Sequence, residues 1–193
     1  MGRLRRVSLP VPPIRTERLL LRAHRPDDLE ALLGYYADPE VVRYTPFTPW
    51  TREAAREHMA RRLSRTGLDG PGSVLGLVVE CEGRVVGDVV LWPADDTMER
   101  GEMGWALDPA AQGHGYATEA VRALVDLAFG TYRMRRVLAE VDARNTASAR
   151  VCERVGMTRE GYLRQDHLSK GVWTDNLVYG LLADEWNGAV AAR

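Results

Sequence analysis

Two glycines, Gly113 and Gly115, stand just ahead of a helical run and are the residues of this sequence best suited to holding an anion. The turn reads Gln112, Gly113, His114, Gly115, Tyr116, Ala117, Thr118. Beyond it, apolar residues fall at Ala117, Ala120, Val121, Leu124, Val125 and Ala128, which predicts the buried face of a helix. Glu119, Arg122 and Asp126 fall on the outward face. A helix that opens on glycines leaves backbone N–H groups without partners, and its dipole adds positive potential there. Without a Cβ, each glycine lets an anion approach the main chain closely. The chemistry this suits is phosphate binding. A kinase-type P-loop needs Gly-Lys-Ser/Thr, and the turn holds no Lys. A dinucleotide fingerprint needs a third small residue where Thr118 stands. It also needs an acidic residue closing the next strand, and Asp142 comes too far on for that role.

The elements around the turn follow from periodicity and punctuation. Residues 1–15 read as a basic, proline-containing arm, loosely held, and 187–193 as a tail; residues 16–186 read as one domain. Arg18–Arg22 is a first strand, and Pro26 opens a helix to about Tyr36 with an acidic first turn. The segment from Asp38 to Trp50 is a proline-stiffened aromatic loop with room for one helical turn. Thr51 caps a helix from Arg52 to Arg65, rich in Arg on its outer face. Strands follow over Ser73–Glu82, Arg84–Trp92 and Arg100–Leu107, the first two joined by a hairpin at Glu82-Gly83. After the central helix come a strand at Arg136–Asp142 and a short helix capped by Asn145 and ended at Gly156. Strands at Met157–His167 and Trp173–Leu182 close the chain. The order predicts an α/β (α+β) fold with an antiparallel meander, a crossover helix and a parallel pair.

Composition sets wider bounds. A chain of 193 residues, 45% apolar and 27% charged, suits a soluble globular domain with a sizeable core. A net charge of −1 gives no electrostatic case for nucleic acid or an anionic membrane. Two cysteines, Cys81 and Cys152, are too few for a disulfide framework and suggest a reducing compartment. The first residues lack the apolar stretch of a signal peptide, so a cytoplasmic protein is expected, with no membrane partner.

A third phosphate-binding pattern, Gln/Arg-x-x-Gly-x-Gly/Ala, is matched in full by Gln112, Gly115 and Ala117. It is the acetyl-CoA pyrophosphate motif of the GNAT superfamily of N-acetyltransferases, which the chain resembles from Thr16 to Trp186. Further signals point to the branch of ribosomal-protein-alanine acetyltransferases. They are the start TERLLLR, the cap Asn145-Thr146-Ala147-Ser148, and the ending from Glu160 to Gln165 with Gly171, Asp175 and Tyr179. The resemblance implies a mixed sheet of about seven strands with four helices, its central strands splayed. It also implies acetyl-CoA as co-substrate, no metal, and a small-molecule or peptide amine as acceptor. The protein would act as a monomer or homodimer.

Acetyl transfer to an amine needs a held thioester, a neutral amine, oxyanion stabilisation and a proton for the leaving thiolate. By resemblance, backbone groups near Ala106 and Leu107 pair with the pantetheine arm. The turn from Gln112, Gly113, His114 and Gly115 through Tyr116, Ala117 and Thr118 takes the pyrophosphate. Asn145 caps its helix and also binds the pantetheine. Many superfamily members place a Tyr seven residues after this Asn, and here that position is Cys152. Ser148, one turn before Cys152, matches the Ser proposed as proton donor in the ribosomal-protein branch. Cys152 itself reads as a small core residue. Asp166 matches a carboxylate thought to serve that branch as base; Glu102, on the strand entering the site, is its rival. An α-amine near pKa 7.8 costs only about 1 kcal/mol to deprotonate at pH 7, against about 4.6 for a lysine near 10.4, so a plain carboxylate suits an α-amine. Tyr44, Phe47 and Trp50 are the candidate acceptor contacts, while Trp92 and Trp105 read as core. Two rival functions remain open: a non-catalytic acyl-CoA-binding module, and a dinucleotide-binding oxidoreductase fragment.

Overall fold

A computed structural model describes residues 11–186, and its sheet has eight strands in the order β1-β2-β3-β4-β5-β6-β8-β7. The strands are β1 (Ile14–Arg15), β2 (Leu19–Ala23), β3 (Leu75–Cys81), β4 (Arg84–Pro93), β5 (Arg100–Leu107), β6 (Arg136–Asp142), β7 (Thr158–Ser169) and β8 (Val172–Leu182). The helices are α1 (Leu29–Tyr36), α2 (Pro39–Val42), α3 (Arg52–Arg62), α4 (Tyr116–Gly130) and α5 (Thr146–Val155). Single 3₁₀ turns at Pro26–Asp28 and Pro109–Ala111 lead into α1 and towards α4.

The expected meander, crossover and parallel pair are all present. The sheet gains one strand over the expected seven because the end of the N-terminal arm is docked. Ile14 and Arg15 pair with Leu21 and Leu20, and Val11 is buried with its N–H donating to the Thr66 carbonyl at 2.9 Å. The first ten residues of the arm and the tail at 187–193 lie outside the described residues. The helical turn in the proline-rich loop is α2, capped by Asp38 and started by Pro39. Helix α3 ends at Arg62 rather than Arg65, and Arg62 turns inward instead of joining the outer Arg face.

Alternation along the strands divides the core in two. Leu75, Leu77, Val89, Leu91, Met103, Val137 and Ala139 pack with the apolar face of α4 and with Ala149 and Cys152 of α5. The other face carries a smaller cluster from α1 to α3: Leu32, Tyr35, Tyr36, Val42, Trp50, Ala55 and Met59. Between these two layers the sheet opens. Strands β5 and β6 pair in parallel only from Arg100 to Glu102, against Arg136 to Leu138. β5 then runs on to Leu107 along β4, while β6 follows β8 to Asp142. The inner edge of β5 beyond Glu102 therefore has no strand partner on that side.

Candidate active site

The cleft between β5 and β6 continues into a cavity of about 520 Å³ on the α1–α3 face of the sheet. Its lining brings together Glu102, Ala106, Asn145, Ser148, Tyr44 and Phe47 from the expected site, with Trp92 and Trp105. These two tryptophans, expected as core, are half-buried and form cavity wall.

Beyond the open end of β5, in a turn outside the cavity lining, Gly113 and Gly115 both take left-handed backbone, with φ of 82° and 81°. Gly115 is the N-cap of α4 and makes no side-chain cap, so the first-turn amides at Tyr116, Ala117 and Thr118 point free of the helix. A Cβ at Gly113 would meet nothing within 4 Å, so the main chain there lies open to an incoming group. The turn is tied down from an unexpected quarter. Thr16 Oγ1 donates to Glu119 Oε1 at 2.6 Å, and the Arg18 backbone N–H donates to the same oxygen at 2.9 Å. Arg18 Nε donates to Glu119 Oε2 at 2.8 Å, while its Nη1 donates to the His114 carbonyl at 2.9 Å. The start TERLLLR thus fixes the glycine turn against the first long strand. Its charge pattern, a Glu on α4 one turn past the glycines facing an early Arg, was the available signal.

Asn145 caps α5: its Oδ1 accepts from the Ser148 N–H at 3.1 Å, which leaves the amide NH₂ as a donor on the cavity side. Ser148 is half-buried and lines the cavity. Cys152, one turn further, is fully buried, and burial pushes its thiol up to about 12. It is core, as expected, and no thiolate nucleophile.

Glu102 differs from the plain carboxylate of the sequence reading. Burial, then the nearby Glu140 carboxylate, push its pKa up to about 7, opposed by a hydrogen bond from Trp92. It sits opposite Trp92 on β4 and Leu138 on β6, at the last paired position before the sheet opens. Asp166 is elsewhere. It lies exposed on β7, accepts from Asn176 Nδ2 at 3.3 Å, and is outside the cavity lining. β7 is a sheet edge whose register with β8 shifts between Leu163 and His167, the stretch that holds Asp166. Trp50 is also withdrawn: it is 5% exposed, stacked on Tyr36 at 4.2 Å and on His58 at 4.4 Å. Of the three proposed acceptor contacts, Tyr44 and Phe47 face the cavity and Trp50 is core.

Behind Trp50 lies a buried polar cluster that sequence reasoning missed. Asp88, 2% exposed, accepts from the Tyr35 and Tyr36 hydroxyls at 2.8 Å each and from the Arg62 guanidinium. Burial alone would raise the Asp88 pKa, but Arg62, His24 and the two hydroxyls hold it below the usual carboxylate range. Arg62 also lies over the rings of Tyr36 and Trp50, at 5.1 and 5.2 Å. Asp88, Arg62, Arg65 and Tyr36 all reach the cavity wall. The signal in the sequence is a lone Asp within the apolar strand Val85–Trp92, since a charge in a buried strand demands a partner.

Comparison with known proteins places this architecture. The acetyltransferase (GNAT) domain family matches residues 18–158. The Bacillus licheniformis protein described as "Uncharacterized N-acetyltransferase p20" is 31% identical over 173 residues, covering 90% of this chain and 97% of that protein. The Escherichia coli (strain K12) [ribosomal protein uS5]-alanine N-acetyltransferase is 24% identical over 194 residues, covering 94% of this chain and 96% of its own length. The crystal structure of a GNAT-family acetyltransferase from Bacillus anthracis superposes with a TM-score of 0.81 at 30% identity, over 90% of this chain and 100% of that one. The splayed sheet, the glycine turn and these likenesses agree: the chain belongs to the GNAT family of N-acetyltransferases.

Proposed function

We propose that this N-acetyltransferase moves the acetyl group of acetyl-CoA to a primary amine, either a protein N-terminal α-amine or a small-molecule amine. The attack is direct, within one ternary complex. Residues 16–186 act as a single domain in this reading, joined by the docked strand at Ile14–Arg15, in a cytoplasmic monomer or homodimer without a metal.

The observation that carries the reading is Glu102. A carboxylate tuned to about 7 stands at the point where β5 and β6 part, in the same cavity as Asn145 and Ser148. A general base works best when its pKa lies near the working pH. Glu102 therefore takes the amine proton, directly or through one water, in preference to Asp166, which is exposed and does not line the cavity. Because Glu102 is a better base than a plain carboxylate, its pKa no longer argues for an α-amine. The preference now rests on the lower cost of deprotonating an α-amine, about 1 kcal/mol at pH 7. Tyr44 and Phe47 supply aromatic surface beside the acceptor.

The donor half fits coenzyme A on its own geometry: free first-turn amides for a pyrophosphate, an unpaired β5 edge at Ala106 and Leu107 for an amide-bearing arm, and the spare Asn145 NH₂. When bound, acetyl-CoA supplies the activated acetyl thioester. Gln112, Gly113, His114, Gly115, Tyr116, Ala117 and Thr118 hold its phosphates in this reading. Ser148, which lines the same cavity, would hold a proton at Oγ for the leaving thiolate. The likeness to the uS5-alanine acetyltransferase supports an N-terminal acceptor without naming one.

The test is release of CoA thiol from acetyl-CoA against a panel of amines. It should include matched peptides with either the N-terminus or the lysine blocked. Amine-dependent release, faster at pH 7 with the free N-terminus, is expected. Tight CoA binding with no release for any amine would favour the non-catalytic acyl-CoA-binding module. Faster release with the lysine peptide would remove the α-amine preference.

A further inference from the structure

Arg65 is a guanidinium with no ion-pair partner among the described residues, in the acceptor half of the cavity. The backbone fixes it there: the Gly76 N–H donates to the Arg65 carbonyl at 2.8 Å, and a Cβ on Gly76 would lie 3.6 Å from Arg65 Cβ. Its side chain lines the cavity, yet it takes part in no hydrogen bond or ion pair among the described residues. The other charges there are accounted for. Arg62 is paired with Asp88, and Asp142 with Arg144 at 2.7 Å. What remains unpaired is Arg65 at one end and Glu102 with Glu140 at the other.

Strand register gives the geometry of that separation. Gly76 of β3 pairs with Val90 of β4, which pairs with Gly104 of β5; Trp92 pairs with Glu102. Cross-strand partners share a face, so Arg65 and Glu102 flank an apolar floor made by Val90 and Trp92. Two strand spacings put the β3 and β5 backbones roughly 10 Å apart. A cavity charged oppositely at its two ends is complementary to a ligand charged oppositely at its two ends.

Resting on the acetyl-transfer reading, we propose that the acceptor is an amine bearing a carboxylate, and that Arg65 is the residue that selects it. The amine meets Glu102 and the carboxylate meets the forked guanidinium, the geometry Arg offers and Lys does not. Burial, then Arg62 and Arg61, lower the Arg65 pKa, and Asp88 and Tyr36 oppose them only in part, so an anion beside it offsets the remaining cost. A polyamine or a lysine-rich tail brings a second positive charge to this end and is disfavoured. The carboxylate comes either from a free amino acid or from an acidic side chain next to a peptide N-terminus.

The experiment compares wild type with Arg65→Met and Arg65→Lys on two matched acceptor pairs, following CoA thiol release. One pair is L-phenylalanine and L-phenylalaninamide; the other is the C-terminally amidated peptides Ala-Glu-Ala and Ala-Gln-Ala. In at least one pair, the carboxylate-to-amide ratio of kcat/KM should fall about 10- to 100-fold in Arg65→Met, the worth of one charge-assisted contact. The loss should appear in the KM of the carboxylate acceptor, Arg65→Lys should recover part of it, and the calorimetric Kd for acetyl-CoA should stay at the wild-type value. The responding pair identifies the source of the carboxylate. Ratios identical in wild type and Arg65→Met for both pairs would overturn the proposal while leaving acetyl transfer intact. Absence of transfer to every amine despite normal CoA binding would overturn the acetyl-transfer reading, and this one with it.

Discussion

The two halves of the cleft are made of different material. The donor half is mostly main chain, with the Asn145 and Ser148 side chains added: two left-handed glycines, the open first turn of α4 and the unpaired edge of β5. The acceptor half is side chain: Asp88, Arg62, Tyr36 and Arg65, the rings of Tyr44 and Phe47, and Glu102. A main-chain site depends on conformation at a few consecutive residues, so substituting most side chains there leaves it standing. A side-chain site depends on which distant elements pack together, so removing one group can strand the others. One half can thus stay constant while the other changes acceptor.

Four substitutions probe that contrast. Glu102→Gln should have the largest effect, lowering kcat/KM about 10²- to 10⁴-fold with acetyl-CoA affinity kept, since it removes only the proton acceptor. Equal loss of affinity would make Glu102 part of the donor half. Asp88→Asn should cost about 3–5 kcal/mol in denaturant unfolding, because it leaves Arg62 buried without its counter-ion. A loss under about 1 kcal/mol would mean that the acceptor half is as tolerant as a surface ion pair. Gly115→Val should weaken CoA roughly 100-fold by calorimetry, since a β-branched residue at φ 81° strains the turn and obstructs the cradle. Unchanged affinity in a folded variant would show that the cradle is unused. Ser148→Ala should be mildest, slowing turnover about tenfold and binding acetyl-CoA as before. A purely affinity-based loss would make Ser148 a binding residue.

The same contrast explains what could be read from the sequence. The order of elements and the glycine turn were legible because spacing and caps are local: Gly115, Asn145 and Gly156 act on their own neighbours, whereas the cleft was expected only from the resemblance. The acceptor half was legible only in part. Trp50 and Phe47 look alike in a proline-rich loop, and only the packing of α1 against α3 decides that Trp50 is covered by Tyr36 and His58. Asp166 was carried over by resemblance, but it stands exposed on the edge strand β7 and is not among the residues lining the cavity. Glu102 was named, yet its raised pKa could not be, because Glu140 comes from a strand thirty-odd residues later and meets it only through the parallel pairing.

The tuning of Glu102 is the most direct point of attack. A carboxyl-carbon NMR titration of the glutamates in the wild type, assigned by the signal missing from Glu102→Gln, measures it without any acceptor. A midpoint near 7, matching the acidic limb of kcat/KM against pH, is predicted: the enzyme loses activity as pH falls through that value because the base becomes protonated. A midpoint near the ordinary 4.5, or an acidic limb unchanged in Glu102→Gln, would contradict the assignment of Glu102 as the base.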